Sequence, residues 1–301
     1  MSASAPEVLV LAGPTASGKS ALALELAERF DAEIIGADSR QIYRGMPLGT
    51  AAPSQAQRSR VRHHLVEFLD PHERYSAARY AHDARRAIAE IHARGKRALV
   101  AGGTGFYVRA LTGDVELSDV FDPVLRDRLA REARLHAPEF LHGWLEVRAP
   151  ARAAQIAPSD RYRVVRALEI ALGGEVRNDL RSMPEPALAF RKVALEIDQT
   201  SLDGRIEERV DAMLAGGFLE EAERIGASAV AADAVGYPEA LAYLAGYSSA
   251  EELRAHLIRS TRRYAKRQRT WFRGEPGMTA VAYRDALETL TRLARELPGW
   301  A

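Results

Sequence analysis

Short apolar runs recur along the chain, each set apart from its neighbours by stretches of helical period. Val8-Leu9-Val10-Leu11-Ala12, Glu33-Ile34-Ile35-Gly36-Ala37, Arg97-Ala98-Leu99-Val100-Ala101, Lys192-Val193-Ala194-Leu195-Glu196-Ile197-Asp198 and the segment from Met278 to Tyr283 read as strands. An Ala/Leu-rich pattern ending near Phe30, and Tyr75 to Ala93 closed by Gly95, read as helices. Arg205 to Leu214 is amphipathic, with Ile206, Val210, Met213 and Leu214 on one face and Gly216-Gly217 as its stop. Leu253 to Arg273 and Asp285 to Leu297 continue the helical pattern. From about Asp114 to Ala187 strand patterns disappear. Helical patterns follow at Asp122–Leu135, Glu139–Glu146, Ala151–Ile156 and Asp160–Leu172, and a loose stretch with Pro184 and Pro186 closes the segment. Gly45 to Pro53 reads as a loop, and Arg58 to His64 as a basic surface segment or substrate-loop contact. His63 and His64 are adjacent and lack a Cys or HxxxH partner, which speaks against metal.

The first strand runs into Gly13-Pro14-Thr15-Ala16-Ser17-Gly18-Lys19-Ser20, and a helix follows. In that setting the glycines let the backbone curl so that several N–H groups converge on one anion. Lys19 adds a point charge, and Ser20 can offer its hydroxyl to magnesium. The expected fold is therefore α/β: a P-loop NTPase-like parallel sheet flanked by helices, built from residues 1–113 and 191–301, with an all-helical insertion over 114–190. In an open parallel sheet, ligands meet the carboxyl ends of the strands. This position brings Asp38-Ser39-Arg40-Gln41 and the second glycine turn, Gly102-Gly103-Thr104-Gly105, within reach of the phosphate loop, with Asp38 and Thr104 as candidate contacts. The acids ending the fourth strand resemble a Walker B segment, although Glu196 interrupts its apolar run. Arg205 has two readings, a salt bridge to Asp203 or Glu208, or a phosphate contact.

Composition alters this picture in one place. A chain of 301 residues with 47% hydrophobic and 28% charged residues is ordinary for a globular protein. The absence of cysteine excludes disulfides, thiolate metal sites and a cysteine nucleophile, and suits the cytoplasm. Met1 to Glu7 is too short and polar for a signal peptide, and no apolar run approaches membrane-spanning length, so no membrane partner is expected. The net charge of +1 conceals an uneven distribution: Arg254 to Arg273 holds eight Arg/Lys and no Asp or Glu. On a helical projection Leu253, Leu257, Thr261, Tyr264, Gln268, Trp271 and Phe272 share one side. Arg259, Arg262, Arg263, Lys266, Arg267, Arg269 and Arg273 share the other. Like charges so arranged repel one another, and a polyanion relieves the cost. Arg152, Arg161, Arg163 and Arg166 make a second positive cluster in the insertion.

One chemistry uses all these parts: a phosphorylated donor in the loop, a nucleic acid across the basic faces, and Asp38 as base toward a nucleophile on that nucleic acid. The main alternative is an ATP-dependent small-molecule kinase, which uses the nucleotide-binding loop and leaves the basic helix unexplained. A third reading is an RNA-binding module with a relic phosphate site.

GPTASGKS at Gly13–Ser20, DSRQIYRGM at Asp38–Met46, GGTGFY at Gly102–Tyr107, Val235-Gly236-Tyr237 and KRQRTWFR at Lys266–Arg273 together resemble the tRNA dimethylallyltransferases, also called tRNA isopentenyltransferases. The resemblance implies transfer of a dimethylallyl group from dimethylallyl diphosphate to the exocyclic amine of the tRNA adenine 3′-adjacent to the anticodon. By it, Gly13, Pro14, Thr15, Ala16, Ser17, Gly18, Lys19 and Ser20 cradle the departing diphosphate, with Mg2+ at Ser20, and Arg205 contacts the same group. Asp38 takes the amine proton, and Thr104 hydrogen-bonds nearby. The implied tRNA contacts are Asp38, Ser39, Arg40, Gln41, Thr104, Tyr162, Arg163 and Arg166, with Lys266, Arg267, Gln268, Arg269, Thr270, Trp271, Phe272 and Arg273. The insertion and the basic helix hold the anticodon arm, and a monomer is expected. Two departures from the family pattern stand out. Ala52 replaces a lysine in Gly49-Thr50-Ala51-Ala52-Pro53, and Tyr162 replaces a common glutamine.

Overall fold

A computed structural model describes residues 7–115, 122–173 and 188–300. In chain order these form β1 (Glu7–Ala12), α1 (Lys19–Arg29), β2 (Ala32–Gly36), α2 (Pro47–Thr50), α3 (Gln55–Arg60), β3 (His63–His64), α4 (Ala77–Ala93), β4 (Arg97–Gly102) and α5 (Gly105–Thr112). Four helices follow: α6 (Pro123–Leu135), α7 (Pro138–Arg148), α8 (Pro150–Ala153) and α9 (Arg161–Leu172). Then come β5 (Ala189–Glu196), α10 (Gln199–Ala215), α11 (Phe218–Ile225), α12 (Tyr237–Leu244), α13 (Ala250–Arg273), β6 (Met278–Ala282) and α14 (Ala286–Glu296).

The strands form one six-stranded sheet in the order β3-β2-β4-β1-β5-β6, with every pairing parallel. This is the α/β architecture expected from the loop and the apolar runs. Alternate residues of β1 enter different cores, as the two-residue strand period requires. Leu9 and Leu11 pack with the buried faces of α1 and α14, whereas Val8 and Val10 pack with α4 and α5. A further core joins α10 to α13 around Phe218, Tyr237 and Leu257. No helix among the described residues is long and apolar enough to cross a membrane.

The chain divides into two compact units, one of Met1–Val115 with Glu185–Ala301 and one of Glu116–Pro184. Helices α6 to α9 lie in the second, around Leu129, Leu141, Leu145 and Leu168. The segment with Pro184 and Pro186 lies outside the described residues. Two boundaries differ from expectation. Ala189 and Phe190, allotted above to the insertion, pair with Glu7 and Val8 of β1. His63 and His64, expected on a surface segment, form the edge strand β3. His64 Nε2 lies 2.6 Å from Glu33, a buried acid of β2 that also accepts from Arg94. Arg94 and His64 hold the Glu33 carboxyl below its usual range against the opposing effect of burial.

Candidate active site

β1 ends at Ala12, and the chain then turns through Gly13 to Gly18 into α1. Gly18 caps that helix at φ +87°, a conformation that disfavours a side chain. A Cβ there would also come within 2.7 Å of Tyr283 and 3.0 Å of Arg205. Arg205, from α10, donates to the Ser17 carbonyl at 3.3 Å and stacks on the Tyr283 ring at 4.1 Å. Among the described residues neither salt bridge considered for it, to Asp203 or to Glu208, is made, and Asp203 pairs with Arg262. Lys19 Nζ donates to the Pro14 carbonyl at 3.1 Å. Burial pushes the Lys19 ammonium down to about 8, opposed by the nearby Asp38 and assisted by Arg209.

Arg209 is a site residue that the sequence reading missed. It lies one turn beyond Arg205 on α10, donating to Thr15 Oγ1 at 2.7 Å and to the Gly49 carbonyl at 3.2 Å. The R-x-x-x-R spacing at positions 205 and 209 is the signal that places both guanidiniums on one helix face. Burial lowers Arg209 from its ordinary value, with Asp38 opposing. Lys19, Arg205 and Arg209 therefore gather positive charge around one glycine-bent loop.

Asp38 and Thr104 stand at the ends of β2 and β4. Asp38 Oδ1 accepts the backbone N–H of Arg40 at 2.9 Å and of Gln41 at 3.4 Å. Thr104 Oγ1 accepts from the Ser39 N–H at 2.9 Å, and its own N–H donates to the Ala37 carbonyl at 3.0 Å. Tyr264 reaches the same place from α13, hydrogen-bonded to Thr104; burial and Asp38 push its phenol above the ordinary range. Sequence periodicity had assigned Tyr264 to the anchoring face alone. Tyr283 was likewise unforeseen, since it follows β6 with no motif around it.

Several residues expected at an RNA surface make contacts within the fold. Gln41 donates to the Thr50 and Ala51 carbonyls, closing the loop that leads out of α2. Arg40 makes a two-pronged pair with Asp233. Gln268 and Phe272 are buried; Gln268 bonds the two glycine turns, and Phe272 packs on Ala12 and Ala194. Trp271 lies beneath the Arg109 guanidinium at 4.5 Å. In the helical unit Arg166 pairs with Glu169 at 2.8 Å, whereas Tyr162 is 72% exposed and Arg163 is exposed.

The basic band of α13 is also less uniform than its sequence. Arg262 pairs with Asp203 at 2.9 Å and with Glu207 at 2.6 Å, acids supplied by α10. Arg273 lies 3.7 Å from Glu196, and Arg269 bonds Gln199. Exposed Arg259, Arg263, Lys266 and Arg267 have no carboxylate partner among the described residues. The Walker B reading loses its acids as well: Asp198 caps α10 through the Ser201 N–H, and Glu196 faces Arg273.

Taken together, the first unit presents an anion cradle at the end of β1, a carboxylate and a hydroxyl at neighbouring strand ends, and exposed cations on one helix. The chain is similar to known proteins in sequence and in fold. A family model described as IPP transferase aligns with residues 41–275. A tRNA dimethylallyltransferase of Geobacter sulfurreducens is 41% identical over 303 residues, covering 97% of each chain. The crystal structure of the full-length tRNA isopentenylpyrophosphate transferase from Bacillus halodurans superposes with a TM-score of 0.71 at 33% identity, covering 96% of each chain. A eukaryotic dimethylallyltransferase acting on tRNA gives 0.74 at 27% identity over 96% of this chain and 78% of that one. The chain belongs to the tRNA dimethylallyltransferase, or IPP transferase, family.

Proposed function

We infer that the chain transfers a dimethylallyl group from dimethylallyl diphosphate to the exocyclic amine of the tRNA adenine 3′-adjacent to the anticodon. The observation that carries this reading is the convergence of Asp38, Thr104 and the cradle of Lys19, Arg205 and Arg209 at the ends of the adjacent strands β2, β4 and β1. The amine nitrogen attacks the allylic carbon, the carbon–oxygen bond breaks, and diphosphate leaves with the bonding pair. Asp38 takes the proton released from nitrogen. Its Oδ1 is engaged by backbone amides, which leaves Oδ2 to face the amine. Thr104 and Ser39 orient the base, while the loop amides, Lys19, Arg205 and Arg209 stabilise charge developing on the leaving group.

An aromatic amine is a weak nucleophile, so positioning supplies much of the rate. The adenine has to leave its stack, at a cost of about a few kcal/mol offset by binding elsewhere on the RNA. Arg259, Arg263, Lys266 and Arg267 on α13, with Tyr162 and Arg163 of the helical unit, are the exposed groups suited to that binding on the anticodon arm.

Magnesium suits this chemistry. Ser20 is exposed in the first turn of α1, and no cluster of three His, Asp or Glu side chains among the described residues forms a metal nest. The residues therefore fit an ion held chiefly through the diphosphate, with the Ser20 hydroxyl as its protein ligand. When bound, magnesium supplies positive charge to the leaving diphosphate. The cysteine-free composition supports a cytoplasmic enzyme, and we take it to act as a monomer.

Mass spectrometry of tRNA from cells lacking this protein tests the function in its natural setting. The prenylated adenosine disappears and returns when the chain is restored. Its persistence in the deletion, with no second enzyme of this class in those cells, contradicts the reading.

A further inference from the structure

We propose that Gln268 is a positioning residue that clamps the diphosphate loop to the second glycine turn, so that loop geometry is set by α13. The proposal rests on the diphosphate reading above. The Gln268 amide is used at both ends: Oε1 accepts the Thr15 N–H at 2.8 Å, and Nε2 donates to the Gly103 carbonyl at 2.8 Å. Both bonds are buried and span 253 and 165 residues of sequence. The amide supplies an acceptor on one side and a donor on the other at the same time.

The glycine turn is shaped to receive α13. A Cβ on Gly103 would fall 2.3 Å from Gln268 Nε2, and one on Gly105 would fall 2.1 Å from Trp271 Nε1. Gln268 and Trp271 are three residues apart and therefore lie on one face of the helix. The second glycine turn thus owes two of its glycines to the close approach of these two side chains. That is a separate reason for the motif besides contact with a ligand.

Thr15 is held from the other side as well. Arg209 donates to its hydroxyl and to the Gly49 carbonyl, while the Gly49 N–H donates to Glu221, which also accepts from Tyr237 Oη at 2.6 Å. A continuous run of hydrogen bonds therefore passes from α12 through Glu221, Gly49, Arg209, Thr15 and Gln268 to Gly103. Gln268 is its link to the helix that carries the exposed cations. The neighbours Lys266 and Arg267 point outward from the same turn, so one helical turn serves both substrates.

Inorganic pyrophosphate is the probe, with Gln268→Leu and Gln268→Glu compared with the unchanged protein by calorimetry. Leucine fills the space without either bond; we expect binding weakened about tenfold or more at every pH, because the Thr15 N–H is left unpaired. Glutamate accepts from Thr15 in either form but donates to Gly103 only when protonated. Its defect is therefore expected to be large at pH 8 and to shrink toward the unchanged protein as pH falls to about 5.5. A helix merely loosened by substitution gives no such rescue. Equal pyrophosphate affinity in Gln268→Leu and the unchanged protein overturns the clamp. So does a Gln268→Glu defect that ignores pH. Failure of the unchanged protein to bind pyrophosphate overturns the diphosphate reading itself. Should Gln268→Leu unfold, the Gln268→Glu pH profile alone decides.

Discussion

In the proposed reaction Asp38 does two things at once, and its two oxygens divide them. Oδ1 ties down the backbone of Arg40 and Gln41, so Asp38→Ala disturbs the turn as well as the chemistry. Asp38→Asn keeps an acceptor for those amides and removes only the basic oxygen. It is expected to lower turnover roughly 10²–10⁴-fold while tRNA affinity stays unchanged, a separation visible in single-turnover kinetics beside filter binding. Lys19 gives a second prediction. In the free protein its ammonium titrates near 8, so it is charged below that pH and loses its charge above it. Pyrophosphate affinity measured by calorimetry should fall as pH rises from 7 to 9. Stability moves the other way. The folded value lies below the ordinary 10.5, so the unfolded chain holds more protons between about 8 and 10.5, and stability rises with pH across that window. Lys19→Met removes this half-buried charge. Its thermal midpoint should rise by about 2–4 °C for each kcal/mol recovered, while diphosphate binding is lost.

Among the elements, α13 carries two faces with different duties. Ser249 and Glu252 start it with a reciprocal capping box, and Leu253, Leu257, Ile258, Ala265 and Phe272 bury one side. That anchoring fixes the direction of the outward cations. Charge reversal at Arg263, Lys266 and Arg267 is therefore expected to weaken tRNA binding at least about tenfold. It should also flatten its salt dependence by about 0.7–0.9 in log–log slope for each RNA phosphate that is no longer neutralised. Pyrophosphate binding should remain intact. Reversal at Arg262 should behave differently, because it places a third acid beside Asp203 and Glu207 and lowers the melting temperature. This distinction was not legible in the sequence. Seven cations on one face read as a uniform band, and the acids that neutralise Arg262 lie on α10, more than 50 residues earlier. The phosphate loop, Asp38 and Thr104 were legible because each sits at the end of an apolar run. β3 was not: two adjacent histidines carry no strand pattern, and it is pairing with Ile34 and Ile35 of β2 and the His64 contact to buried Glu33 that make them an edge strand. Arg209 stayed hidden for the same reason, since only the fold brings α10 against the loop.

For the molecule as a whole, the sheet order sets the function. With β4 and β5 on either side of β1, the phosphate loop opens where helices from distant parts of the chain can converge, α10 with its arginines and α13 with Tyr264 and Gln268. Such a loop ordinarily signals a nucleotide. Here the acids expected of a nucleotide hydrolase cap a helix and pair with an arginine, and the carboxylate near the loop stands beside a threonine instead. In the proposed reaction the loop holds the leaving diphosphate, and the exposed cations hold the RNA whose amine attacks the allylic carbon. The most direct test uses isotopically labelled dimethylallyl diphosphate, magnesium and unmodified tRNA, with Asp38→Asn run alongside. The account predicts label in the tRNA at the adenine 3′-adjacent to the anticodon, one diphosphate released per group transferred, and almost none of either with Asp38→Asn. Unlabelled tRNA in the presence of folded protein that consumes ATP on a small acceptor would contradict it.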